Sequence, residues 1–600
     1  MNRRWDVLLM LGLVVLALVL VYMPRDAALS VIGRSGDAAE GAPEQAEATQ
    51  PPVTLNAVEE GNVTESGLRY SLSALEPDIV TMYLTVYRGN RAENTDHTWE
   101  EINTYSVYDY ERMGVARYQA AALLQVGDEF GPVEGQLGYG ETAPNATVQV
   151  RGQTSSKYAQ KNFKIELKKN KGEWLGQRTI ALNKHQQDGM RFRNKLAYEL
   201  LSEIPQLMGL RTQFVHLYVR DMTGEGEEGF TDYGLYTQVE QLNQAALTYH
   251  GLSRYGKLYK INMFEFYRYE DIVKETSDPT YDAAAMEALL ENKTGSDNRE
   301  LIRMLEAVND TSVPVDTLLE TTFDRENIQY WMAFQILLGN ADTQNRNVYI
   351  YSPPNSDRWY FYSWDHDAAL MRQEYRLRSY QESQEWECGV SNYWGNVLFR
   401  RLLSNARFRA ELDAVIRELY ATVLSPEHVR EKAERLRGMV EPLAFSAPDA
   451  QHMPLTREQY AWVAEHLPDE ITLSLAMYEE SLEKPMPFYI GMPYVRQGRL
   501  VLTWDPAFDL DAETIRYTVE VSDGYDFTHI LYSAEDVLMP EVLMDMLPAG
   551  QYFIRVYAVN ESGYRQSAFD YYVTDAGKVY GTRCFWVMPG GDIVEDAYEE

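Results

Sequence analysis

Cysteine is almost missing from this chain. Its 600 residues hold two, Cys388 and Cys584, which excludes both a disulfide framework and a four-cysteine zinc site. Stability must come from packing. Positive charge is also short: 55 Lys and Arg stand against 90 Asp and Glu, a formal charge of −35. That balance argues against a protein that coats DNA or RNA, and no nucleic-acid partner is expected. Long apolar runs are confined to Val7–Met23, 17 residues preceded by Arg3 and Arg4 and followed by Pro24. Such a run reaches the short end of a spanning helix, and the arginines place the rest of the chain outside the cytoplasm. Residues 1–26 therefore read as a signal anchor, with a cleaved signal peptide as the alternative. Residues 27–60 are Ala, Glu, Gly, Pro and Gln with hardly an aromatic, a solvated tether.

What is present is a chain able to bury large cores: 45% of residues are hydrophobic and 12% aromatic, including 43 Tyr. At roughly 150 residues per unit, about four units are expected. Alternation at Val80–Tyr87 predicts strands from the start of the folded part. Phe192, Leu196, Leu200 and Ile204 predict an amphipathic helix over 188–204, stopped by Pro205. Strands are expected at 212–220 and 234–240. Helical periodicity dominates 281–338 and 396–482. The tail changes character, alternating at period two in 500–504, 515–521 and 552–559. It resembles a fibronectin type III module with an immunoglobulin-like sandwich, assigned to 488–576, with 577–600 as a C-terminal tail.

Two anomalies carry chemistry. Residues 151–195 hold twelve Lys or Arg and three acids, a basic island in an acidic chain. It opens with the polar turn Arg151-Gly152-Gln153-Thr154-Ser155-Ser156 and runs into the strand 161–167. A glycine and hydroxyl turn can aim N–H groups at phosphate while a strand lysine supplies fixed charge; lysines that protect an edge strand make the same pattern. The second anomaly is a hairpin. A helix over 326–338 breaks at Gly339-Asn340, a strand comes next at 348–351, a turn at 353–356, and a return strand at 359–364 leads into Asp365-His366-Asp367. The entry and exit of a hairpin lie side by side, so Asp342, Asn347 and Asp365 should converge. One carboxylate to orient a hydroxyl, plus an amide and a second carboxylate for Mg²⁺ or Mn²⁺, suits phosphoryl transfer. The Asp-x-x-x-x-Asn spacing equals that of the protein-kinase catalytic loop, although turn and cap residues between helix and strand produce it too.

At these residues the sequence resembles the CotH kinases, atypical secreted protein kinases of the spore coat. The matching stretches are Arg151–Ser156 with Lys161 and Phe163, Arg193-Asn194-Lys195-Leu196, Gly234-Leu235-Tyr236 with Glu240, Asn340-Ala341-Asp342 through Asn347, and Trp364-Asp365. They stand in the family's order over about residues 65–440. The resemblance implies an α+β, bilobal protein-kinase-like fold over 61–485, with a mixed N-terminal sheet lobe and a helical C-terminal lobe. It implies an exported, membrane-tethered kinase that uses ATP and Mg²⁺ or Mn²⁺ on Ser or Thr of cell-surface or spore-coat proteins. AMP transfer on the same fold and a non-catalytic envelope scaffold are the alternatives. Carried over by position, Asp342 is the catalytic carboxylate, while Asp365 and Asn347 are metal ligands. Lys161 holds the α/β-phosphates, with Lys164 as the alternative, and Arg151, Ser155 and Ser156 line the phosphate turn. Glu240 meets adenine or caps its strand, and Glu199 is the candidate partner for the lysine. The pattern departs from ordinary kinases where no His-Arg precedes Asp342 and His366-Asp367 replaces Phe-Gly. Asp367 is then a further ligand or a turn cap.

Overall fold

A computed structural model of the chain describes residues 79–224, 229–295, 297–378, 386–574 and 577–596. The expected membrane helix, the tether and the first residues of the 61–485 region lie outside them. Among the described residues no helix is long and apolar enough to cross a membrane.

Alternating apolar residues build strands β1 (Ile79–Tyr87), β2 (Ala120–Asp128), β3 (Gly131–Pro132), β4 (Ala146–Arg151), β5 (Asn162–Leu167), β6 (Thr179–Asn183), β7 (Thr212–Met222) and β8 (Thr231–Glu240). They pair in the order β1-β7-β8-β6-β5-β4-β2-β3, and β1 also pairs with β2. That extra pairing closes seven strands into a barrel, where the sequence alone indicated a sheet. The interior is filled by alternate residues such as Met82, Leu84, Leu124, Val148, Phe163, Ile165, Val215 and Leu217, all fully buried. Two short helices, α1 (Trp99–Thr104) and α2 (Val107–Met113), start in capping boxes, Thr98 with Glu101 and Ser106 with Asp109. Trp99 stacks on Phe163 at 5.0 Å, so α1 lids the mouth where β5 begins.

Helix α3 is Arg193–Leu201, shorter at both ends than the periodicity suggested. Asp188 explains the late start: Oδ1 accepts from the Met190 N–H and Oδ2 from the Arg193 N–H, so residues 188–192 form a capped turn. α3 packs into a second core that runs through α4 (Gln244–Tyr249), β9 (Lys257–Ile261), α5 (Ala283–Leu289), β10 (Leu290–Asn292), α6 (Arg299–Asn309), α7 (Val315–Thr321), α8 (Arg325–Leu337), β11 (Val348–Ser352) and β12 (Tyr360–Ser363). It continues in α9 (Arg372–Leu377), α10 (Val397–Ser404), α11 (Ala406–Ala421), α12 (Pro426–Ala444), α13 (Arg457–His466) and α14 (Asp469–Glu483). The small sheet runs β10-β9-β11-β12. Helix α8 is buried all round from Asn327 to Leu337, so its apolar residues are not confined to one stripe.

The described residues of 494–595 form eleven strands, β13 (Tyr494–Arg496) to β23 (Ile593–Glu595). A three-stranded sheet and a larger one share a core of Phe488, Leu500, Leu502, Trp504, Val519, Ile554, Val556 and Phe585. Within the expected tail, Gly577–Tyr580, Thr582–Val587 and Ile593–Glu595 are strands, and Thr582–Val587 pairs with Gly550–Arg555 in the larger sheet. These sheets rest on the helical part, with Trp386 against Phe569 at 5.1 Å and the Asn560 amide donating to Glu483 O at 2.8 Å.

Candidate active site

Helix α8 is stopped at Gly339, whose φ of 60° is the left-handed conformation glycine adopts most freely. The next loop is fastened from several sides. The Asn392 amide donates to Ala341 O at 3.1 Å, the Asn396 amide to Gln344 O at 2.8 Å, and the Phe264 N–H to Asn345 O at 2.8 Å. Asp342 leaves this loop with its side chain 39% exposed, open to a second reactant. Arg346 Nε lies 2.6 Å from Oδ1, and the Asn347 amide donates to Oδ2 at 2.8 Å. Desolvation raises the Asp342 pKa, Arg346 opposes it, and the charges of Asp367 and Glu387 add to the rise.

The hairpin closes as its pairing requires. Val348 sits opposite Ser363, and one step out the Trp364 N–H donates to Asn347 O at 3.1 Å. Asn347 and Asp365 both take φ of 56°, so the backbone turns at the two adjacent ends, in a region that Asn and Asp tolerate better than most residues. Asp365 is held by α3: its N–H donates to the Tyr198 hydroxyl at 3.3 Å and Oδ1 accepts from the Asn194 amide at 3.5 Å. Asn194 also accepts from the His366 N–H at 3.2 Å and meets His185 Nε2 at 3.2 Å, while His185 Nδ1 lies 3.4 Å from Asp367. Asp365 is the carboxyl pushed up in pKa, by burial and then by Asp367; His185 and Arg151 pull the other way. Asp367 is kept low by His185 against its own desolvation.

Arg151, at the end of β4, reaches this cluster. Its guanidinium donates to Asn183, stands 6.0 Å from the centroid of the Trp364 ring, and interacts with Asp365. Gly152 turns the chain with φ of 95°; a Cβ there would collide with Ser155 Oγ. Ser155 Oγ accepts from the Asn162 amide at 3.0 Å. Ser156 is buried, donating to Gln153 O at 2.6 Å and accepting from the Val107 N–H at 3.0 Å, so its hydroxyl is occupied by the turn itself.

Asp342, Asn347, Asp365 and Arg151 are thus in one neighbourhood; Lys161 and Glu240 are not joined to it. Lys161 Nζ donates to Ser156 O at 2.7 Å, and the charge it answers to is that of Asp109. Lys164 pairs with Glu166 at 2.9 Å. Glu240 is fully buried between Arg211 and His250. Glu199 pairs with Lys195 and Arg435 instead of Lys161. Asn194, Tyr198 and His185 position Asp365 and were not assigned this role from sequence, although Asn194 lies in one of the matching stretches.

Among the described residues no three His, Cys, Asp or Glu side chains are grouped to hold a metal unaided. The donors nevertheless fit Mg²⁺ or Mn²⁺, which take one or two carboxylates and complete their shell with phosphate oxygens and water. Asp365 is a half-buried carboxyl whose desolvated, ionised form needs a compensating cation, and the Asn347 amide, donating its N–H to Asp342, keeps Oδ1 as an acceptor.

The sequence matches the family described as CotH kinase protein over residues 148–477, just over half of the chain. No curated protein matches it. Among solved structures, the twitchin kinase region from C. elegans is 20% identical with a TM-score of 0.12, covering 16% of this chain and 19% of that one. The HipA–HipB toxin–antitoxin complex with operator DNA from Shewanella oneidensis MR-1 is 12% identical with a TM-score of 0.19, covering 50% of this chain and 59% of that one. The chain therefore spans less than two thirds of either.

Proposed function

From the premise that this chain belongs to the CotH kinase family, we propose that it transfers the γ-phosphoryl group of ATP to Ser or Thr hydroxyls of a protein, using Mg²⁺ or Mn²⁺. The observation that carries this reading is the closed hairpin end, where the Asn347 side chain binds Asp342 and its carbonyl accepts from the residue before Asp365.

In this reading the partly exposed Asp342 carboxylate accepts a hydrogen bond from the acceptor hydroxyl and takes its proton as the new phosphorus–oxygen bond forms, while the bond from the γ-phosphorus to the β,γ-bridging oxygen breaks and ADP leaves with that oxygen. Arg346 and Asn347 fix its two oxygens, which limits rotation, and desolvation makes it more basic than an ordinary aspartate. Asp365, locked by Tyr198 and Asn194, and Asn347 Oδ1 would hold the metal, which neutralises charge on the phosphates when bound. Arg151 stands beside Asp365 to meet phosphate oxygens. The barrel and the helical part act as the two lobes, with the site where Arg151 faces Asp365. Residues 7–23 anchor the chain, extracytoplasmic, to the membrane, where cell-surface or spore-coat proteins are its substrates. The C-terminal sheets serve as a fibronectin type III-like, immunoglobulin-like sandwich against the helical part.

Calorimetric titration of the purified chain with ATP, with and without Mn²⁺, tests the proposal. Asp342→Asn is expected to keep metal-dependent ATP binding and lose phosphoryl transfer by at least about 10²-fold. Asp365→Ala is expected to lose the metal-dependent part of binding. A wild-type chain with no metal-dependent ATP binding overturns the proposal in favour of a scaffold.

A further inference from the structure

Lysines near the barrel mouth are committed to protein partners. Lys161 donates to Ser156 O, Lys164 pairs with Glu166, Lys184 with Asp449 at 2.6 Å and Lys195 with Glu199 at 3.2 Å. Lys260 is different. It is half-buried on β9, and among the described residues its ammonium makes no hydrogen bond and no ion pair. Its neighbour across β10 is Glu291, an acid already paired with Lys293. A half-buried ammonium without a direct partner carries an uncompensated desolvation cost, which is common where a site awaits an anion.

The register shows what Lys260 faces. It is directly opposite Tyr349 of β11, and residues opposite each other share one face of a sheet. Tyr349 meets the Trp364 ring at 5.6 Å, and the Arg151 guanidinium stands 6.0 Å from that same ring. Lys260, Tyr349, Trp364 and Arg151 therefore trace one continuous face that ends beside Asp365. In agreement with that placement, Lys260 interacts electrostatically with both Arg151 and Asp365, after burial and its nearer neighbours Glu291 and Lys293.

We infer that Lys260 is the second fixed cation of the site, flanking Asp365 opposite Arg151 and contacting the anionic polyphosphate of the nucleotide. The inference rests on the kinase reading. It assigns to a strand of the helical half the phosphate contact expected of Lys161.

The test is titration of wild type, Lys260→Met and Lys260→Arg with ATP, inorganic pyrophosphate and adenosine, in Mg²⁺ and in chelator. A lost charge-assisted hydrogen bond should weaken ATP and pyrophosphate binding to Lys260→Met by about 10- to 100-fold. Adenosine binding should be unchanged and Lys260→Arg should recover most of the loss. The thermal midpoint of Lys260→Met should equal or exceed that of wild type, an outcome that a merely structural lysine would not produce. Independently of any variant's folding, ATP should shield Lys260 from acetylation in the wild type, read by peptide mass spectrometry. Equal ATP affinity in wild type and Lys260→Met, or unshielded Lys260 at saturating ATP, overturns the assignment and leaves the kinase reading intact. Wild type that binds pyrophosphate through Lys260 but not ATP overturns the kinase reading alone.

Discussion

Replacing Glu240 by Gln separates a structural acid from a nucleotide contact. Glu240 ends β8 with no exposed surface. Oε1 accepts from Arg211 Nε at 3.0 Å, and Oε2 accepts from the Arg211 N–H at 3.2 Å and from His250 Nε2 at 2.6 Å. Burial alone would raise its pKa, yet His250 and then Arg211 hold it at about 2 against an ordinary 4.5. At about 1.4 kcal/mol per pKa unit, that depression corresponds to roughly 3 kcal/mol of stability, in line with the roughly 3–5 kcal/mol for breaking a buried ion pair. Because the folded pKa is depressed, this contribution is complete above pH 4.5 and is lost as the pH falls toward 2. Urea unfolding of wild type and Glu240→Gln should therefore differ by about 3 kcal/mol at pH 7, with a gap that narrows below pH 4.5. A gap under about 1 kcal/mol at pH 7, or one that ignores pH, refutes the buried triad. Unchanged stability with a raised KM for ATP would instead assign Glu240 to the adenine.

Arg193→Met should destabilise by roughly 3–5 kcal/mol in urea, because Arg193 Nη1 serves Asp188 at 2.5 Å and Glu374 at 2.6 Å, all three side chains being fully buried. Phosphoryl transfer should fall with decreasing pH from above the ordinary aspartate range, since Asp342 must be ionised and its pKa is raised. Arg346→Ala removes the largest opposing charge, so the acid limb of its kcat profile should move to still higher pH; an unmoved limb contradicts the assignment. Trp386→Ala should cost about 3–5 kcal/mol in urea, because Trp386 is wedged between Phe569 at 5.1 Å and Tyr580 at 5.9 Å.

Local structure was readable wherever one residue period dominated. The alternation at Val80–Tyr87 became β1, and the helix–loop–hairpin from Glu326 to Asp365 formed within a residue or so of its expected limits. Its ends meet because strand pairing is local, and that is why Asp342 and Asn347 could be paired from spacing. Long-range placement was not readable. Barrel closure depends on β1 meeting both β2 and β7, partners some forty and more than a hundred residues away. Lys161 was favoured because charge and spacing do not reveal which neighbour satisfies an ammonium; here it is the Ser156 carbonyl. Asn194 and Tyr198 needed α3 to dock before their contact with Asp365 existed. Lys260 gave no signal, because β9 acquires meaning through its pairing with Tyr349. Residues 577–595 looked like a tail because their strands are short and their partners lie up to about forty residues back.

The most direct measurement is the intact mass of a Ser- and Thr-bearing protein acceptor after incubation with the purified chain, ATP and Mn²⁺ or Mg²⁺, beside Asp342→Asn. A gain of about 80 Da per site that disappears with Asp342→Asn is the predicted result. A gain of about 329 Da would mean AMP transfer, and no gain, or an equal gain with the variant, would contradict phosphoryl transfer at Asp342.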